Sequence, residues 1–174
     1  MIKAIVCCAK DFGIGKKNGL LFDIPADMMH FRHETTGKIC VFGYNTYLSL
    51  PKRPLKNRVN VVLWDQAPSM DCLEGAITFN TFEALLNFVQ VMAKEYDVYI
   101  CGGQGVYTAF MPYYDLIDLT MVDAQDPEAT AFFPNPADYG FDCHHAGQFW
   151  KEDGALGTGG YYIQTQLWGR TIKE

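Results

Sequence analysis

Residues 13–31, GIGKKNGLLFDIPADMMHF, decide the fold, because they form a glycine-containing loop that leads into a helical pattern between two strands. The apolar run IKAIVCCA at 2–9 precedes them, and KICVFG at 38–43 follows once the helical pattern PADMMHFRHET has ended. Both runs are continuously apolar for most of their length, which is typical of strands covered on both faces. A strand, a helix and a second strand in this order indicate an α/β arrangement with parallel strands.

The same alternation continues along the chain. Further strand-like runs are RVNVVLW at 58–64, AITFN at 76–80, DVYICGG at 97–103, DLIDLTMV at 115–122 and YYIQTQLW at 161–168. Further helical patterns are YNTYLSL at 44–50, TFEALLNFVQVMAKEY at 81–96 and QGVYTAFM at 104–111. No strong helix follows residue 120, so we expect FDCHHAGQFW to pair with YYIQTQLW as an antiparallel hairpin around the glycine-rich KEDGALGTGG. No linker or repeat divides the chain, and we predict one domain over residues 1–174 with a largely parallel sheet.

The chain has 174 residues, 49% of them hydrophobic, which is enough for one sizeable core. Its formal net charge is -6 and no stretch gathers Lys and Arg, so we expect no nucleic-acid partner. The N-terminal apolar run is too short to span a membrane and lacks the order of a signal peptide. We therefore expect no membrane partner and a cytoplasmic location.

Six cysteines raise the question of disulfides or a metal site. They show no CxxC or HxxxH spacing, which argues against a metal site. Four of them lie in strand-like runs, where a free Cys behaves as a small hydrophobe. We therefore expect reduced thiols at all six positions: Cys7, Cys8, Cys40, Cys72, Cys101 and Cys143.

Asp27 is the acidic side chain best placed for chemistry, because it lies in the first helical turn among apolar residues. Pro25 suits that turn, and Asp23 is placed to cap it. The simpler interpretation is that Asp27 only complements the positive end of the helix dipole. A catalytic role needs an apolar pocket, which raises the pKa of a carboxyl group. Position alone leaves both interpretations open.

Two strands lead into helix starts that are able to hold phosphate groups. CGGQGVY at 101–107 has adjacent glycines, which let the backbone approach a phosphate beside the N–H donors of the helix start. FGYNTY at 42–47 offers Asn45 and Thr46 for the same purpose. Each segment alone is equally consistent with a tight turn or a capped helix, since neither contains a full GxGxxG or P-loop motif. Two such starts on one sheet indicate a dinucleotide.

In order and spacing, these segments resemble the dihydrofolate reductase family over nearly the whole chain, from Ile2 to about Arg170. The most specific block is IGxxNxLxxxxPADMxxF at 14–31. The blocks that follow are GxxTYxS at 43–49, RPLxNR at 53–58, CGGQGVY at 101–107, DLTMV at 118–122 and FFP at 132–134. The resemblance implies a mostly parallel eight-stranded sheet that is flanked by helices and ends in an antiparallel C-terminal hairpin.

The resemblance also implies a reaction, namely reduction of 7,8-dihydrofolate to 5,6,7,8-tetrahydrofolate in support of one-carbon and thymidylate metabolism. Hydride would pass from NADPH to C6 of the pterin, and N5 would be protonated. The implied partners are dihydrofolate and antifolate inhibitors, and we expect a monomer. By the same resemblance, Asp27 holds the pteridine ring, Thr120 bonds the Asp27 carboxylate, and Arg58 clasps the α-carboxylate of the glutamate tail.

The site positions implied by the resemblance fall into three groups. The catalytic positions are Asp27, Thr120 and Phe22. The substrate positions are Ile5, Cys7, Met28, Phe31, Leu50, Leu55, Arg58 and Cys101. The cofactor positions are Cys7, Ile14, Gly15, Leu20, Gly43, Tyr44, Asn45, Thr46, Leu63, Trp64, Asp65, Cys101, Gly102, Gly103, Gln104, Gly105, Val106 and Tyr107. Taken singly, the apolar members are also consistent with core packing, Thr120 with an ordinary strand residue and Arg58 with a surface charge.

Several residues depart from the family pattern. Phe22 stands where the family has a tryptophan, and a phenyl ring has no N–H to donate to an ordered water. Tyr44 replaces a frequent arginine, and Trp64 with Asp65 replace the hydroxyl or basic residues that receive the 2′-phosphate of NADPH. We therefore expect NADPH with an unusually small preference over NADH, which should be tolerated.

A second group of departures concerns the mobile loop over the site. Ala129 and Thr130 stand where a loop aspartate pairs with this mobile loop in the family, so we expect that pairing to be missing. Two other functions remain open from the sequence. One is a related pyrimidine reductase of riboflavin synthesis, which would not need Asp27 and Arg58 at folate spacing. The other is a binding or structural protein with weakened catalysis.

Overall fold

The sheet strands and helices come from the segments that the sequence marks as apolar and periodic. The computed structural model describes residues 1–17, 19–67, 73–153 and 160–172. Within these residues the strands are β1 Ile2–Ala9, β2 Gly13–Lys16, β3 Gly19–Leu20, β4 Ile39–Gly43, β5 Val59–Leu63, β6 Ala76–Phe79, β7 Val98–Ile100, β8 Leu116–Val122, β9 Ala131–Phe132, β10 Phe141–Ala146, β11 Trp150–Asp153 and β12 Gly160–Arg170. The helices are α1 Pro25–Thr35, α2 Tyr44–Ser49, α3 Phe82–Met92 and α4 Gln104–Phe110, with short 3-10 turns at Met111–Tyr113 and Pro136–Tyr139.

One large sheet has the strand order β10-β12-β8-β1-β7-β4-β5-β6, and β11 also pairs with β12. The strands from β8 to β6 run parallel, whereas β12 is antiparallel to β8, β10 and β11. The predicted α/β fold with a mostly parallel sheet and antiparallel C-terminal strands is therefore confirmed. The sheet has nine strands in the described part of the chain, and not eight, because the predicted strand at 141–150 is interrupted at residues 147–149.

Three local predictions need correction. Asp23 does not cap α1, since the N-cap residue is Ile24 and no side chain caps this end, although Pro25 does occupy the first turn. The N-cap residue of α2 is Gly43, so neither Asn45 nor Thr46 caps this helix. The helix predicted at 81–96 ends at Met92, because the N–H of Ala93 is shared between two carbonyls and the chain then turns to enter β7. The cysteine at position 72 and most of the loop at 151–160 lie outside the described residues.

The core lies on both faces of the parallel strands. β1 is buried along nearly its whole length, and the central residues of β4, β5 and β7 are almost fully inaccessible. This two-sided burial explains why these strands are continuously apolar in the sequence. None of the helices described here is long and apolar enough to cross a membrane.

A second, small sheet forms where the sequence predicted only a loop. Strands β3, β2 and β9 pair antiparallel in that order, so that the segment after β1 is bound to the segment around Phe132. The small sheet places residues 14–16, 19 and 20 at the carboxyl end of the main sheet, where they line the same cavity as the starts of α2 and α4. In parallel α/β sheets this end is where ligands bind.

Candidate active site

A cavity of about 710 Å³ opens at the carboxyl ends of the parallel strands. Its size is that of a small-molecule site. All of the residues that the sequence assigned to the cofactor line it, namely Cys7, Ile14, Gly15, Leu20, Gly43, Tyr44, Asn45, Thr46, Leu63, Trp64, Asp65, Cys101, Gly102, Gly103, Gln104, Gly105, Val106 and Tyr107. The structure therefore brings these residues together around one cavity, while their assignment to a cofactor stays a prediction.

Glycines at the starts of α2 and α4 line this cavity. The N–H of Gly43 donates to the carbonyl of Gly102 at 2.7 Å, which joins the two glycine segments. A Cβ atom at Gly103 would lie 2.9 Å from Oγ1 of Thr46, and Gly102 has a φ of 117° that favours glycine. The glycines thus let the starts of α2 and α4 pack closely and line the cavity with backbone, an arrangement that a pyrophosphate is able to approach.

One end of the cavity is aromatic. The rings of Tyr44 and Trp64 are stacked with centroids 4.3 Å apart and an interplanar angle of 1°. Asp65 lies directly beside this pair and is exposed. Among the described residues that line the cavity, Lys16 is the single lysine or arginine. The aromatic end offers a flat surface for a nucleobase but little positive charge for a phosphate.

Lys16 also ties the loop over the cavity to the segment before β9. Its Nζ forms ion pairs with the carboxylates of Asp126 and Glu128, and both carboxylates raise the pKa of the lysine through hydrogen bonds. The N–H of Thr130 donates to the carbonyl of Gly15 at 2.9 Å. The expectation that these segments would not pair is therefore wrong: Lys16 and the backbone of Thr130 join them without an aspartate at position 129 or 130.

Asp27 lies in the first turn of α1, partly buried against the sheet. The hydroxyl of Thr120 on β8 and the thiol of Cys7 on β1 are its hydrogen-bonding neighbours, and both lower the pKa of the carboxyl. Thr120 and Cys7 are paired neighbours in the parallel register of these two strands. Burial raises the pKa of Asp27, and the two hydrogen bonds and nearby His30 act in the opposite direction. Cys7 also lines the cavity, so the carboxyl of Asp27 lies next to the cavity wall.

Phe22 lies in the segment just before α1, which carries Asp27. Its ring packs edge-on against Tyr161 with centroids 5.1 Å apart, and it contacts a buried cluster formed by Ile24, Val122 and Ile163. Phe22 therefore fills space as a hydrophobic side chain and offers no hydrogen bond near Asp27.

Four of the predicted substrate residues lie around one apolar cluster. Phe31, Leu50, Leu55 and Cys101 pack against one buried cluster, whose centre is Phe42. Ile5 is buried, whereas Met28 on α1 is 44% exposed. Phe31, Leu50, Leu55 and Cys101 are therefore brought together in one apolar cluster, whereas Ile5 and Met28 do not belong to it.

Arg58 lies beside Phe31, one member of this apolar cluster. Its Nη1 donates to the hydroxyl of Thr35 at 3.2 Å, and its Nε donates to the carbonyl of Lys56 at 3.0 Å. The guanidinium carbon stands 5.9 Å from the centre of the Phe31 ring. These contacts hold the guanidinium close to the apolar wall, where it is able to meet an acidic group of a bound molecule.

The cysteines in the described part of the chain are free thiols. Burial raises the pKa of Cys7 and Cys101, so both remain thiols at neutral pH. Cys40 is adjacent to Cys101, and the interaction with this neighbour and the charge of Arg58 lower its pKa. No group of three or more His, Cys, Asp or Glu side chains that is able to hold a metal ion occurs among the described residues.

Seven residues that line the cavity were not selected from the sequence. They are Val6, Lys16, Gly19, Ser49, Gln66, Thr130 and Ala131. Lys16, Gly19 and Ser49 lie inside the quoted sequence blocks, so their neighbourhood was a usable signal. Thr130 and Ala131 reach the cavity through the pairing of β9 with β2, for which the sequence carries no local signal.

Comparison with known proteins gives concordant matches. Residues 1–156 match the family model described as dihydrofolate reductase. The chain is 36% identical over 133 residues to a dihydrofolate reductase of Neisseria meningitidis serogroup A, which covers 76% of this chain and 78% of the relative. It is 34% identical over 122 residues to a dihydrofolate reductase of Haemophilus influenzae, covering 70% and 71%.

The fold is matched by a solved structure. Dihydrofolate reductase from Enterococcus faecalis, complexed with NADP(H) and RAB-propyl, superposes with a TM-score of 0.80 at 24% sequence identity. The match covers 99% of this chain and 97% of that one. At this identity the likeness shows the fold.

Proposed function

The chain belongs to the dihydrofolate reductase family, and we propose that it reduces 7,8-dihydrofolate to 5,6,7,8-tetrahydrofolate at Asp27 and the adjoining cavity. The observation that carries the proposal is the partly buried carboxyl of Asp27 beside Thr120 and Cys7, because Cys7 is also part of the cavity wall. The product, tetrahydrofolate, would supply one-carbon and thymidylate metabolism.

The cavity suits NADPH by its shape. Glycines at the starts of α2 and α4 leave room for a pyrophosphate, and the aromatic pair at one end offers a surface for the adenine. Gly43, Thr46, Gly102 and Gly103 would hold the pyrophosphate, and Cys7 with Ile14 would border the nicotinamide. When bound, NADPH supplies the hydride that reduces C6 of the pterin.

The role of Asp27 follows from its surroundings. Thr120 and Cys7 donate to the carboxyl and fix its orientation, so its free lone pairs face the bound pterin. The negative charge at Asp27 then binds the amidine-like edge of the pterin and favours a proton on N5, which is taken from solvent. Phe31, Leu50 and Leu55 form apolar walls that exclude water from the benzoyl part of the substrate.

An assay of NADPH consumption, followed by its near-ultraviolet absorbance, tests this function. We expect oxidation of NADPH that depends on dihydrofolate and yields tetrahydrofolate. A pyrimidine reductase would consume NADPH only with a pyrimidine substrate of riboflavin synthesis, and a binding protein would consume none. Either result would overturn the proposal.

Location and assembly belong to the same proposal. We propose that the chain acts as a monomer in the cytoplasm, without a nucleic-acid partner. A net charge of -6 disfavours association with nucleic acid, and free thiols suit a reducing compartment. Light scattering coupled to size-exclusion chromatography should give the mass of one chain.

We predict a small preference for NADPH over NADH. Asp65 is exposed at the aromatic end of the cavity, and Lys16, the one lysine among the described residues of its wall, is engaged by Asp126 and Glu128. The 2′-phosphate therefore gains little from the protein, while a carboxylate is able to accept a bond from a free ribose hydroxyl. We expect the ratio of kcat/KM for NADPH to kcat/KM for NADH to lie between about 10 and about 150.

Paired variants make this measurement decisive. Asp65→Arg should raise kcat/KM for NADPH, because it adds a phosphate partner, and lower that for NADH, because it removes the acceptor of the ribose hydroxyl. The control Asp142→Arg adds the same charge on the exposed strand β10 and should change neither value. A wild-type preference of about a thousandfold or more would show that phosphate donors lie elsewhere in the chain.

A further inference from the structure

Helix α1 packs on the sheet through polar side chains as well as apolar ones. Three residues, spaced three and four positions apart and therefore on one face of the helix, reach three strand residues. The contacts are Asp27 with Thr120, His30 with Asp118, and Glu34 with Tyr99. The first contact belongs to the site described above. The second lies one helical turn further along and has no role in the proposed function.

His30 and Asp118 form a close and partly buried contact. Nε2 of His30 lies 2.8 Å from Oδ2 of Asp118, and the two side chains are 30% and 19% exposed. Asp118 and Thr120 are two residues apart on β8, so their side chains point to the same face of the sheet. Asp118 therefore stands beside the residue that donates a hydrogen bond to Asp27. The His30 ring and the Asp118 carboxylate are therefore charged neighbours of Asp27.

We propose that His30 and Asp118 are a positioning pair for Asp27, whose charges set the pH range over which that carboxyl works. The proposal rests on the role of Asp27 in the proposed function. When His30 is protonated, the imidazolium and the carboxylate cancel, and the pair adds no net charge beside Asp27. When His30 loses its proton, the carboxylate of Asp118 remains uncompensated, and Asp27 holds its proton more tightly.

The charges around the pair agree with this assignment. The hydrogen bond to Asp118 raises the pKa of His30, and Glu34 and Asp27 on the same helix act in the same direction. At Asp27, His30 lowers the pKa, whereas Asp118 raises it. The other titratable groups that interact with Asp27 are the thiols of Cys7 and Cys8 on β1 and the hydroxyl of Tyr107, and burial holds all three in their neutral forms. His30 is thus the one nearby cation in the described residues that acts on Asp27.

The pair is tested by titrating Asp27 directly. The protein is labelled with ¹³C at the aspartate side-chain carboxyl, the Asp27 resonance is assigned by its loss in Asp27→Asn, and its shift is followed from about pH 4 to about pH 9. His30→Gln keeps an amide donor at about the reach of Nε2 but removes the positive charge. Asp118→Asn removes the negative charge, and the double variant removes both.

A charge role predicts a distinctive pattern of midpoints for Asp27. His30→Gln should raise the midpoint by about 0.5 to 1 pH unit, and Asp118→Asn should lower it. The double variant should return to within about 0.2 pH unit of the wild type, because its net charge is restored. The pH at which kcat falls to half its maximum should move in the same directions.

The matched control is His33→Gln. His33 lies on the same helix and contacts a carboxylate, that of Glu34 at 3.3 Å, but its side chain is 86% exposed. Its substitution should leave the Asp27 midpoint unchanged. Single variants that leave the midpoint unchanged, or that both shift it in one direction, would overturn the proposal. This readout does not depend on activity, so it remains informative even if Asp27 proves not to be catalytic.

Discussion

Replacement of Asp27 by Asn should lower kcat/KM for dihydrofolate by about 100- to 10,000-fold at pH 7. The amide has nearly the same shape as the carboxylate, and its oxygen is still able to accept from Thr120 and Cys7. It cannot carry the negative charge that binds the amidine-like edge of the pterin and favours a proton on N5. Steady-state kinetics with dihydrofolate at several pH values measure the loss. Activity of the variant within about threefold of wild type at pH 7 would remove Asp27 from its assigned role.

The same substitution should not weaken the fold. Burial raises the pKa of Asp27 above its ordinary value, so the ionised carboxylate is less favourable in the folded chain than in the unfolded one. Its contribution to stability is therefore best at low pH and is lost as pH rises through the folded pKa. At pH 7 the neutral amide avoids this cost, and the free energy of unfolding of Asp27→Asn should equal or exceed that of wild type.

Stability and activity together distinguish a catalytic role from a structural one. Urea unfolding at pH 7 gives the stability, and Asp142→Asn serves as the control because Asp142 is exposed on the edge strand β10. The control should match wild type in both measurements. A variant at position 27 that loses activity and stability in parallel would indicate that Asp27 supports the fold and has no separate catalytic role.

The main sheet was predictable because its signals are local. Each parallel strand is a short apolar run, and burial on both faces explains that composition without any knowledge of its neighbours. The small sheet was not predictable, since β3 and β9 contain two residues each and owe their existence to pairing with β2. Two-residue strands carry no periodicity, and distant pairing cannot be read from either segment alone.

The candidate site divides in the same way. The glycines and helix starts at the cavity follow strands directly, so their common location at the carboxyl edge follows from the parallel order. The contact between His30 and Asp118 joins residues 88 positions apart, and the ion pairs of Lys16 join residues more than 100 apart. Neither set has a sequence signal, because a charged residue on a helix or loop is ordinarily solvated.

Arg58→Leu should weaken the binding of dihydrofolate by about ten- to a hundredfold, the loss of one charge-assisted contact. In the structure the guanidinium is held by the hydroxyl of Thr35 and the carbonyl of Lys56, and it lies beside the ring of Phe31. These contacts hold the guanidinium beside the apolar cluster that contains Phe31, where the glutamate tail of the substrate would end. Binding of a pterin that lacks this tail should change by less than about twofold.

The comparison of the two ligands separates a specific contact from a general loss of charge or fold. Lys56→Leu removes one positive charge from the same loop but leaves the backbone carbonyl that orients Arg58, so it should affect the two ligands alike and only slightly. Fluorescence titration gives both dissociation constants, and thermal unfolding shows whether the loss of the Thr35 contact loosens α1. If Arg58→Leu weakened dihydrofolate and the tail-free pterin equally, the guanidinium would have no contact with the tail, and its role would be to support the wall formed by Phe31.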